Sequence, residues 1–180
     1  ADLIINLCKL KTHGQMVYTG AMKNMFGAVP GLLKAEFHMR MPDYDAFADT
    51  LLDIFLSVRP VLNIMDAVVS MEGYGPTAGN PKHTGILLVS TDAFALDLAA
   101  AHVIGAAPAA IPMFRRAQAR GIMPAEVSEI TFTGLKPDDV KIAGFAIPQL
   151  DRLRAVDFLK NSKLLSSLLS ERLRPFPVFT

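Results

Sequence analysis

Ile86-Leu87-Leu88-Val89-Ser90-Thr91-Asp92-Ala93-Phe94-Ala95-Leu96-Asp97 passes from a continuous apolar run, through a polar triplet, into an alanine-rich segment. An aliphatic run without polar interruption fits a strand buried inside a sheet. Ser90, Thr91 and Asp92 offer side-chain oxygens to the unpaired first amides of a helix, which predicts a helix from about Ala93 to Val103. The same grammar recurs upstream. Asp43 to Val58 carries Phe47, Leu51, Ile54, Phe55 and Val58 at helical spacing, with Asp43 as cap and Pro60 just past the end. Val61 to Met65 then reads as a buried strand closing at Asp66, and Asp2 to Leu7 as a first strand. Strands alternating with helices predict an α/β fold, a layered sheet of mostly buried strands with helices on both faces.

Between these elements, Cys8 to His13 reads as a polar basic loop and Leu32 to Arg40 is ambiguous. Thr19 to Phe26 reads as a short helix capped by Thr19 and stopped by Gly27. Glu72 to Thr84 reads as a glycine- and proline-rich loop, Pro112 to Arg120 as a helix, and Ile130 to Thr133 and Val140 to Ile147 as further strands. Arg152 to Arg174 reads as a long polar-faced helix, followed by the extended, proline-set Arg174 to Thr180. The expected organisation is a partial α/β domain over residues 1–150, then a helical arm and lead-in to a missing module over 151–180. A strand that starts almost at residue 1, and an apolar extended end, suggest an excised part of a larger domain.

Composition narrows the functional classes. Of 180 residues 51% are hydrophobic and 19% charged, too apolar for intrinsic disorder. Eighteen basic against seventeen acidic residues give a net charge of +1, so no global field attracts nucleic acid or an anionic membrane. Charges and prolines interrupt every apolar stretch short of the ~18–20 residues a spanning helix needs. With no signal peptide visible, the expectation is a soluble, cytoplasmic protein. Cys8 is the one cysteine, which excludes a disulfide framework, a cysteine-rich zinc site and a self-contained iron–sulfur cluster. His38 and His102 lack partners at metal-ligand spacing, so no metal site is expected.

Candidate chemistry gathers in two places. Asn6, Lys9, Lys11 and His13 lie at the carboxyl end of a strand, where open α/β sheets bind ligands. If this segment stays extended, Lys9, Lys11 and His13 project to one side, and a bound anion would relieve their repulsion. Lys23 and Asn24 add a cation and an amide; the alternative is a solvated basic loop. The acidic group is Asp66, closing a strand between apolar neighbours, and Glu72. A buried carboxylate must be paired or protonated, and one of the lysines is the natural partner for Asp66. Gly73 and Gly75 could bring backbone amides close to a ligand, in an anion cradle or in a plain connector. Asp97, beside an apolar helix stripe, is best explained by a polar contact to a neighbouring loop. Cys8 reads as a small core residue.

Asn6-Leu7-Cys8-Lys9-Leu10-Lys11-Thr12-His13 and Thr19-Gly20-Ala21-Met22-Lys23-Asn24-Met25-Phe26-Gly27 resemble the domain of unknown function 362 family. Ile64-Met65-Asp66-Ala67, Met71-Glu72-Gly73, Gly75-Pro76, Ser90-Thr91-Asp92 and Ala95-Leu96-Asp97 continue the likeness, which runs over about residues 1 to 135. Cys8 departs from it, standing where the family commonly has proline. The resemblance implies that this chain is the C-terminal half of that domain. It also implies a following ferredoxin-like module with 4Fe–4S clusters, to which 174–180 would lead.

The leading expectation is therefore a redox-linked enzyme domain. Asn6, Lys9, Lys11, Lys23, Asn24, Glu72, Gly73 and Gly75 would bind a small anionic ligand, and Asp66 or His13 would move a proton. The alternative is a non-catalytic platform docking the ferredoxin module and a partner protein through Leu164, Leu165, Leu168 and Leu169. A third option is phosphate-ester binding without redox chemistry.

Overall fold

The computed structural model describes residues 1–150 apart from Leu32, Ala35, Glu36, His38, Met39, Arg40 and Pro42. The helical arm and the leucine interface expected beyond residue 150 lie outside the described residues, as does His38.

The fold is α/β. A mixed sheet holds β1 (Ile5–His13), β2 (Val17–Thr19), β3 (Leu62–Glu72) and β4 (Asn80–Ser90) in the order β2-β1-β3-β4. β1 runs parallel to β3, with Leu7 opposite Ile64; the two outer pairs are antiparallel. The described helices are α1 (Ala21–Asn24), α2 (Tyr44–Val58), α3 (Ala93–Val103) and α4 (Pro112–Ala119). Asp43 caps α2, accepting from Ala46 N at 2.7 Å, and Asp92 caps α3, accepting from Phe94 N at 2.8 Å. Arg115 and Arg116 of α4 pair with Asp45 and Asp49 of α2 at 2.6 and 2.8 Å, tying these helices together.

Burial alternates along β1 from Ile5 to Thr12 and along β3 from Leu62 to Ala67. Cys8 and Leu10 of β1 and Met65 and Ala67 of β3 are buried in one core with Met22, Phe47, Leu51, Leu98 and Phe114. The opposite face presents Ile5, Leu7, Leu87 and Val89, which are 49–69% exposed, and the cover expected there is not among the described residues.

Three expectations need correction. Cys8 to His13 is not a loop but the body of β1, because Leu10 and Thr12 go inward while Lys9 and Lys11 stay partly exposed. Glu72 to Thr84 is largely a hairpin: β3 reaches Glu72 and β4 resumes at Asn80, leaving only the turn between them irregular. Ile130 to Thr133 and Val140 to Ile147 form no strand. Ile130, Val140, Ile142 and Ile147 instead rest singly on the core, and Ile142 N donates to Val103 O at 2.8 Å. An apolar run can satisfy its side chains this way without joining a ladder.

Candidate functional site

The site begins with α1, four residues that could not hold a helix alone, since a single turn fixes more dihedrals than its hydrogen bonds repay. Its cap is not Thr19, which lies in β2. Asp97, from α3, accepts from Ala21 N at 2.7 Å and Met22 N at 2.9 Å, and takes the Tyr18 hydroxyl at 3.0 Å. Asp97 is 1% exposed, and burial pushes its carboxyl up to about 6 against those three hydrogen bonds, which favour the charged form. Gly20 is required here, because a Cβ would collide with Asp97 Oδ1 and the Tyr18 hydroxyl.

Asn6 holds the same helix from the sheet. Its Nδ2 donates to Ala21 O and to Asn63 Oδ1, both at 2.8 Å, while its Oδ1 accepts from Asn24 Nδ2 at 2.8 Å. Asn24 also donates to Leu7 O at 3.0 Å. Both asparagines thus orient α1, and with it Lys23.

Beside α1 lies a cavity of about 300 Å³ lined by Lys11, His13, Thr19, Lys23, Asn24, Phe26, Gly27, Lys34 and Pro76. Among the described residues no carboxylate lines it. Burial and then the neighbouring Lys11 charge bring Lys23 down to about 8, while its ammonium sits 5.6 Å from the centre of the Phe26 ring. Lys34 Nζ donates to Gly27 O at 3.2 Å. His13 Nδ1 accepts from Gln15 N at 3.1 Å and Met16 N at 3.3 Å, so the neutral ring carries its proton on Nε2.

Four residues singled out from the sequence therefore share one cavity: Lys11, His13, Lys23 and Asn24. The others sit elsewhere. Lys9 and Lys11 do lie on one partly exposed side of β1, but β3 sets Asp66 opposite Lys9 and Met71 opposite Lys11, and His13 is buried. Lys9 pairs with Asp66 at 2.6 Å on the open sheet face, and that hydrogen bond, with another from Val68 N, holds the Asp66 carboxyl below its ordinary value. Asn6 lies beneath α1. Glu72 accepts from Ala146 N at 2.9 Å and pairs with Lys82 at 3.1 Å, and the amide bond lowers its carboxyl. Gly73 N donates to Ala146 O, so these residues fasten the segment around 146 to the hairpin. Gly75 lies against the Thr12 backbone, where a Cβ would collide. Thr19, Phe26, Gly27, Lys34 and Pro76 were not foreseen as lining; nothing local marks them, because the cavity forms only where β1, α1 and the hairpin turn meet.

A larger groove of about 490 Å³ follows the outer edge of β4 and α3. Its lining of Ile86, Leu88, Ala99, Val103, Phe132 and similar residues holds no titratable side chain. Burial raises the Cys8 thiol far above its ordinary value, leaving no reactive thiolate. Among the described residues no three His, Cys, Asp or Glu side chains are grouped as for a metal ion. Nor is any helix among them long and apolar enough to cross a membrane.

The profile of the Domain of unknown function (DUF362) family matches residues 1–102. Thylakoid-associated protein sll1697 of Synechocystis sp. (strain ATCC 27184 / PCC 6803 / Kazusa) is 36% identical over 159 residues, covering 88% of this chain and 49% of that protein. The chain thus spans about half the length of this curated relative. No solved structure matches it.

Proposed function

The chain belongs to the DUF362 family, and from that premise we propose that it is the small-anion-binding domain of a redox-linked protein, its ligand seated in the cavity beside α1. One observation carries this reading: Lys11, Lys23 and Lys34 line a single cavity without a described carboxylate, where burial and then the Lys11 charge lower the proton affinity of Lys23. Unbalanced positive charge at that spacing is relieved by an anion, and partial burial strengthens the attraction. A volume of about 300 Å³ suits a small ligand. In this proposal His13, with its Nε2 proton, serves as the proton donor at the cavity wall. Asp66 stays with Lys9 and Glu72 with Lys82, outside the chemistry.

The 4Fe–4S clusters implied by the resemblance do not fit this chain's own residues. Such clusters need several thiolates, and Cys8 is single and buried. In the proposal they belong to a ferredoxin-like module elsewhere in a longer cytoplasmic protein. A second reading, the non-catalytic docking platform, is favoured by the exposed apolar face of Ile5, Leu7, Leu87 and Val89.

Thermal shift with phosphate, sulfate and small carboxylates tests the anion site. An anion at a hundred times its dissociation constant should stabilise the chain by about 2.7 kcal/mol, and Lys11→Ala and Lys23→Ala should each remove most of that gain. If both variants respond as the parent does, the site lies elsewhere.

A further inference from the structure

We propose that the cavity captures a small oxo acid covalently, with its carboxylate held by Lys11 and Lys34 and its carbonyl carbon condensed with Lys23 Nζ as an imine. The inference rests on the anion-binding reading of the same cavity and names its ligand class.

Lys23 and Lys9 show the contrast that supports it. Lys9 is pinned to a carboxylate, Asp66 at 2.6 Å, outside the cavity. Lys23 has no carboxylate among the described cavity residues, is half-buried, and faces another cation and the Phe26 ring. Desolvation and a neighbouring positive charge are the two devices that make a lysine nucleophilic near neutral pH. Both act on Lys23, bringing it to about 8. The cations around it then have a separate task, since a ligand with a carboxylate beside its carbonyl would place the carbonyl at the amine. α1 is fixed by Asn6 and Asp97, so the amine is carried on a positioned element rather than on a loose loop.

The step balances without an oxidant or reductant. The Lys23 nitrogen lone pair attacks the carbonyl carbon, a C–N bond forms, and the C=O π pair moves to oxygen. His13 Nε2 gives its proton to that oxygen and takes one back from the newly cationic nitrogen, so the ring ends as it began. The C–O bond then breaks, the nitrogen's remaining proton joins the departing oxygen, and water leaves with the former carbonyl oxygen.

The test is to incubate the full 180-residue chain with pyruvate at pH 8, with and without sodium borohydride, and measure intact mass and tryptic peptides. The expected result is one reduced pyruvate per chain, on the peptide containing Lys23, labelled roughly tenfold more than other lysine peptides. Lys23→Arg should abolish trapping, while peptide mapping of the parent protein locates the adduct whether or not that variant folds. A pyruvate-induced thermal shift with no trapped mass overturns the imine and leaves anion binding standing. Neither shift nor adduct overturns both, and labelling spread evenly over the lysines overturns the assignment to Lys23.

Discussion

Asp97 accepts hydrogen bonds from Ala21 N, Met22 N and the Tyr18 hydroxyl while 1% exposed, so it serves as the remote cap of a helix. Asparagine there would turn one acceptor into a donor facing backbone N–H groups. Asp97→Asn is expected to cost about 2 kcal/mol in urea unfolding and to weaken anion binding, since α1 carries Lys23. The pH dependence has a definite sign. Burial raises the carboxyl from 3.8 to about 6, so the folded state holds its proton more tightly than the unfolded chain. Its contribution to stability is full below 3.8 and is lost as pH rises through about 6. The stability gap between parent and Asp97→Asn should therefore narrow between pH 4 and pH 7; a gap that widens would contradict this assignment. The sequence showed Asp97 as a polar residue beside an apolar stripe, with a loop contact as the explanation. Its actual partners, Tyr18, Ala21 and Met22, are 75–79 positions away, and no local pattern points to them.

At the scale of elements, the caps supplied by a neighbouring residue were legible and the faces were not. Asp43 and Asp92 start their helices as read, because a cap acts within three residues of itself. α1 was legible as a short helix, but Thr19 looked like its cap. Thr19 belongs to β2, and the capping carboxylate arrives from α3. The continuous apolar run Ile86 to Val89 reads as buried on both sides, yet Leu87 and Val89 are 65% and 61% exposed. Leu7, Ile64 and Val89 lie in register across three strands on this open face, two of which are parallel, a pairing that usually has both faces covered. Leu7→Lys with Val89→Lys should leave urea stability within about 1 kcal/mol of the parent and reduce self-association in light scattering. A large loss of stability would mean these side chains are covered. If the docking reading holds, the same double variant loses partner binding and keeps its anion response.

For the whole molecule, the match covers 49% of the Synechocystis relative, so the redox half of the proposal is tested on a longer product. Iron and acid-labile sulfide assays on an anaerobically purified longer protein should find roughly eight irons, as two four-iron clusters require, with the 180-residue chain iron-free as the blank. A longer protein without iron would remove the electron-transfer part and leave an anion-binding α/β domain. The sequence by itself determined the α/β class, the caps of α2 and α3 and the basic character of Cys8 to His13, though not that it is a strand, because periodicity and caps act over a few neighbouring residues. Only the tertiary structure decided that Lys11, His13, Lys23 and Lys34 share a cavity while Lys9 and Asp66 lie apart from it. That sorting depends on β3 setting Asp66 opposite Lys9 and Met71 opposite Lys11, and on hydrogen bonds from Asn6 and Asp97 that hold α1 against the sheet. These are long-range contacts, and one-dimensional spacing carries no record of them.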